Sequence, residues 1–210
     1  MDIRSMKVKE FCDSVASKDP VPGGGAVGAV VAALGAALAE MVANLTIGKK
    51  KYQEWEAEME RVLEDMEKAR EDLMDIAHRD IKAFDSFMKA LKLPKDTLEQ
   101  KEERKRRMQE AIKNAIDVPY ELARKVRDIM KDVEIVTEFG NKNAVSDAVS
   151  ASELCRASFE IARANVRINL KSIDDEDLKS YYTQEMEELE GQIYGSYKRI
   201  KEMVEKNGWL

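Results

Sequence analysis

Apolar residues along this chain recur at intervals of three and four, over segments much longer than a strand, and no run alternates apolar and polar positions with β-branched residues. The pattern predicts helices and nothing else. A short one covers roughly 4–17, with Val8, Phe11, Cys12 and Val15 on one side, and others cover about 25–47, 52–91, 97–131, 143–171 and 175–206. Breaks between them are few: prolines at 20, 22, 94 and 119, and ten glycines, four of them between 23 and 28. Pro94 closes the third helix, and Pro119 predicts a bend in the fourth, where its missing N–H interrupts the hydrogen-bond ladder. The third helix would run ~60 Å at ~1.5 Å per residue, longer than a small domain is wide. It needs partners along its whole length. The expected fold is all-α: an elongated antiparallel bundle of about five to six helices without a β-sheet, residues 1–210 forming one domain, extended by a second copy into a homodimer.

The second helix stands apart in composition. From Ala26 to Ala39 it carries no charge and little bulk. Fourteen helical residues reach only ~21 Å, short of a ~30 Å hydrocarbon core, and Glu40 follows, so no membrane span is expected. Gly28, Ala32, Gly35 and Ala39 share one smooth face that lets another backbone approach closely. This helix is expected to be buried on all sides, at the bundle centre or at the dimer seam.

Composition narrows the function classes. The chain of 210 residues has 35 basic and 41 acidic side chains, for a net charge of −6, which argues against a nucleic-acid partner. Hydrophobic residues at 44% are too many for a disordered chain. Cys12 and Cys155 lie far apart in sequence, and the expected location is a reducing cytoplasm. A single histidine, His78, gives no basis for a histidine metal site or a Ser–His–Asp triad, and no metal is expected.

Four features could carry chemistry. Gly23, Gly25 and Gly28 match the spacing of a dinucleotide fingerprint, but two prolines precede them and no sheet surrounds them. What remains is a triple glycine, Gly23-Gly24-Gly25, opening a helix. It is either a tight turn or a set of bare N–H groups for a polar ligand. On the third helix, Leu73, Ile76, Asp80, Phe84, Phe87 and Leu91 share a face, and five of the six are large and apolar. Asp80 is then either a desolvated carboxylate with a raised pKa or one arm of a structural ion pair. On the fifth helix, Asp147, Ala151, Leu154, Ser158, Ala162, Asn165 and Asn169 share a narrow face. The two asparagines, four residues apart, could grip a heterocycle or bond each other. Ser146 and Asn143 are placed to cap that helix. Lys49-Lys50-Lys51 form a basic cluster next to the glycine-rich helix, a solvated turn or an attraction for an anion. His78 belongs to a different face from Asp80 and is expected to be structural.

Together these motifs resemble a known family. Pro20-Val21-Pro22-Gly23-Gly24-Gly25, the small-residue helix, Met41-Val42-Ala43-Asn44-Leu45-Thr46 and Gly48-Lys49-Lys50-Lys51-Tyr52 are similar to the cyclodeaminase domain of formiminotransferase-cyclodeaminases. The likeness continues through Asp80-x-x-Ala83-Phe84, Leu93-Pro94-Lys95, Gly140-Asn141, Ser146-Asp147 and Asn165-Val166-x-Ile168-Asn169-Leu170. The resemblance implies an all-helical, dimeric, cytoplasmic enzyme acting on a tetrahydrofolate derivative, with no tightly bound cofactor. Its catalytic aspartate maps onto Asp80. The family also holds methenyltetrahydrofolate cyclohydrolases, and a non-catalytic folate-binding protein is the third possibility. Gly23–Gly25, Ser146, Asp147, Asn165 and Asn169 are expected to contact substrate, and the lysines to meet the folate glutamate.

Overall fold

The computed structural model describes residues 2–209 and contains six α-helices with no strand among them. They are α1 (Val8–Val15), α2 (Gly24–Asn44), α3 (Glu56–Leu91), α4 (Leu98–Phe139), α5 (Val145–Leu170) and α6 (Glu176–Lys206), with short 3-10 turns at Ile3–Ser5, Lys50–Trp55 and Lys142–Ala144. The N-terminal segment is therefore two pieces and not one helix over 4–17, and α1 buries none of its residues.

The smooth face of α2 settles where that helix sits. A side chain at Gly28 would collide with Ile161 at 2.8 Å, and one at Gly35 with Cys155 Sγ at 2.9 Å. Both neighbours belong to α5, so the small residues let α2 and α5 approach inside one chain. Across α2 lie α3 and, more lightly, α4. The face therefore belongs to the bundle centre and not to a seam between copies. The chain's own helices do not cover the opposite face of α2, where Leu34, Met41 and Leu45 are exposed.

α4 runs eight residues past the expected end at 131 and closes at Gly140, whose N–H donates to the Val136 carbonyl. Val133, Ile135, Val136 and Thr137 are weak helix formers, but Val133, Val136 and Thr137 are buried, and packing overrides propensity. Pro119 sits buried inside α4 without ending it, between the buried Val118 and Leu122. α6 closes the bundle against α4 and α5.

Candidate active site

α2 and α5 run antiparallel, so the start of α2 meets the end of α5. At that end α3 presents Asp80 from its apolar stripe, beside the buried Leu73 and Ile76. Asp80 Oδ2 accepts a 2.9 Å hydrogen bond from the Ala26 N–H, one of the first-turn donors of α2 that has no partner within its own helix. The approach depends on Gly25. A Cβ there would lie 2.1 Å from Asp80 Oδ1 and 2.5 Å from its carboxyl carbon. No side chain fits between the helix start and the carboxylate.

No lysine or arginine among the described residues pairs with Asp80, so the ion-pair reading of this residue fails. Burial raises its pKa above the ordinary carboxylate value, and the Ala26 N–H pulls only partly against it. Oδ1 accepts no hydrogen bond from the described residues.

Asp80 borders a cavity of about 310 Å³, at the lower end of ligand-pocket volumes. Gly23, Gly24 and Gly25 form one wall with Pro20 and Val21, and Ala83, Phe84 and Phe87 of α3 a second. Ile112 and Ala115 of α4, Asn165 and Asn169 of α5, and Ser172 complete it. The aromatic rings suit a flat heterocycle, and the amides can read its edge. Asn165 and Asn169 do not bond each other: their amide groups donate to the carbonyls of Ile161 and Ala115, at 2.8 and 2.7 Å. Ile112, Ala115 and Ser172 carry no sequence signal that would have singled them out. The first two are ordinary core-type positions, distinguished only by the helix they face.

The remaining candidates are elsewhere. Lys49, Lys50 and Lys51 follow the far end of α2, about 30 Å along its axis from Gly25. Ser146 and Asp147 lie in the first turn of α5, at that same far end, and neither Ser146 nor Asn143 caps it, since the cap position is Ala144. The far end is tied down internally. Asn141 is buried, its N–H donating to Thr46 Oγ1 and its amide to the Leu45 carbonyl, and the Tyr52 hydroxyl accepts from the Lys142 N–H. His78 does not border the Asp80 cavity, and its buried Nδ1 has no hydrogen-bond partner.

Comparisons with known proteins bear on this geometry. The family profile described as formiminotransferase-cyclodeaminase matches residues 7–188. A methenyltetrahydrofolate cyclohydrolase of Methylorubrum extorquens is 44% identical over 88% of this chain and 87% of its own length. A formimidoyltransferase-cyclodeaminase of Gallus gallus is 36% identical over 83% of this chain, which spans only 32% of that longer protein. A solved structure, formiminotetrahydrofolate cyclodeaminase from Thermotoga maritima, matches with a TM-score of 0.89 at 45% identity, over 99% of this chain and 100% of that one. With its fold and nearly its whole length matched, this chain belongs to the formiminotransferase-cyclodeaminase family of folate one-carbon enzymes.

Proposed function

We propose that the chain converts 5-formiminotetrahydrofolate to 5,10-methenyltetrahydrofolate and ammonia, with Asp80 as general base and then general acid. The observation that carries this reading is the Asp80 carboxylate itself: half-buried, without a cation among the described residues, and bordering the cavity. The bicyclic end of the folate lies between Phe84, Phe87 and the two asparagines, and the rest of the molecule extends past the glycines. As N10 attacks the carbon of the formimino group, which enters protonated as an amidinium, Oδ1 takes the N10 proton. The tetrahedral carbon then expels its amino group, to which Asp80 returns the proton, and ammonia departs. The carboxylate ends as it began. Desolvation makes it a stronger base than a solvated aspartate, and general acid–base catalysis of this kind contributes typically ~10²–10⁴-fold.

A second reading is favoured by the cyclohydrolase of Methylorubrum extorquens, which aligns along nearly its whole length. There the same carboxylate would take a proton from water attacking the methenyl carbon. Purified protein supplied separately with formimino- and methenyltetrahydrofolate distinguishes the two. The first reaction makes the near-ultraviolet absorbance of the methenyl group appear, and the second makes it disappear. A protein that does neither is no folate enzyme of either kind.

A further inference from the structure

The Asp80 cavity lacks something that a folate needs. A folate carries carboxylates on its glutamate, yet none of the residues bordering the cavity is basic. The lysine cluster that could receive them stands at the opposite end of α2, its three residues exposed and none in an ion pair among the described residues. One chain cannot bring the two together across about 30 Å of helix.

The open face of α2 suggests how they meet. Val27, Val31, Leu34, Leu38, Met41 and Leu45 are spaced 4, 3, 4, 3 and 4 and form one straight stripe. Leu34 is 55% exposed, Leu45 42% and Met41 37%, and the other three are half-buried. The stripe begins immediately after the glycines of the cavity and ends immediately before the lysines. It is also close to self-complementary about its midpoint. If two copies pack these stripes antiparallel around a two-fold axis between Leu34 and Leu38, then Leu34 meets Leu38, Val31 meets Met41 and Val27 meets Leu45 of the partner subunit. In that register the end of α2 in the partner subunit, with Lys49–Lys51 in the turn and 3-10 segment that follow it, comes next to the glycines that open α2 and line the cavity. The one symmetric pairing that buries the whole stripe also brings the missing cations.

We infer that the active site is shared between two copies of this chain: Asp80 and the cavity come from one protomer, and Lys49–Lys51 of the partner subunit hold the substrate's carboxylates. The inference rests on the folate reading for the identity of the anion, but not for the assembly. In the absence of substrate, the lysines still stand at the neighbour's glycine loop.

Two experiments test it. In the first, Asp80→Asn chains and chains carrying Lys49→Gln, Lys50→Gln and Lys51→Gln are given different tags, co-expressed, and the mixed dimer isolated. The only competent carboxylate then sits in the lysine-less chain. Lysines acting across the interface give half the wild-type kcat per dimer at the wild-type KM. Lysines acting within their own chain give the same kcat at the raised KM of the triple variant, which overturns the inference. In the second, with exposed Cys12 replaced by serine, Val21→Cys chains are mixed with Lys50→Cys chains and treated with a short bifunctional thiol reagent. A mixed covalent dimer, absent from either chain alone, is expected even if no folate is turned over. Its absence, or a wild type that stays monomeric at micromolar concentration, overturns the assembly. A monomer that floats with phosphatidylcholine vesicles assigns the stripe to a bilayer instead. If the cross-link forms but neither folate reacts, the proposed function fails and the assembly stands.

Discussion

Asp80 and Asp132 are both inward-facing carboxylates whose pKa values burial pushes above the ordinary range, and each borders a cavity, of about 310 and 360 Å³ respectively. Asp132 is the more buried of the two, and their surroundings differ. Asp132 accepts a 2.8 Å bond from Arg61, which also holds Glu58 and Asp65, and its cavity is walled by further charges including Lys68, Lys125 and Lys131. Asp80 faces phenylalanines and amides, and its single partner is a backbone N–H. Burial and volume therefore do not make a site. What separates the two is compensation: Asp132 has an arginine beside it, whereas Asp80 has no cation among the described residues.

The largest expected effect breaks Asp80 itself. Asp80→Asn keeps the size and an acceptor for the Ala26 N–H but cannot carry a proton. Turnover should fall at least ~100-fold with substrate binding little changed, read as kcat against KM. Gly25→Ala comes next. Its new methyl group occupies the position of the carboxylate and forces Asp80 aside, and a displacement of ~1 Å can cost ~10²-fold in rate. The chain should stay folded, as judged by circular dichroism, since alanine is the better helix former by up to ~1 kcal/mol. Full activity in Gly25→Ala would mean that the observed Asp80 position is irrelevant to turnover.

Folding stability should respond to the same carboxylate. A carboxyl whose pKa is raised by folding binds more protons in the folded chain between its two pKa values, so stability falls as pH rises through that window. Asp80→Asn removes that loss. The variant should melt higher than wild type at pH 7, with the difference closing as pH drops toward the ~3.9 of a free aspartate. The smallest effect on turnover is expected at the compensated site: Asp132→Asn should leave kcat unchanged, because Asp132 borders a different cavity and its amide can still accept from Arg61.

Much of this architecture was legible in the sequence, for identifiable reasons. Long three-and-four spacing can be satisfied only by helices, and an aspartate within a stripe of Leu73, Ile76, Phe84 and Phe87 is anomalous on any reading. Three things were not legible. Pattern alone gives no distances along a bundle, so Gly25 and Lys49, linked by one helix and near in sequence, looked like neighbours although that helix holds them apart. The Gly28–Ala39 face suggested contact without saying with what, and only packing against Ile161 and Cys155 shows that the small face turns inward and the large one outward. The end of α4 was hidden for a third reason, since β-branched residues from Val133 onward are helical here only because α4's neighbours bury them.

In the proposed reaction the uncompensated carboxylate of Asp80 moves the proton. Its most direct test is the pH dependence of kcat/KM, measured for wild type and Asp80→Asn on whichever folate the wild type consumes. The wild type should show an acidic limb with an apparent pKa above the ~3.9 of a free aspartate, and that limb should vanish from the residual activity of the variant. The same limb in both proteins, at comparable rates, would contradict it.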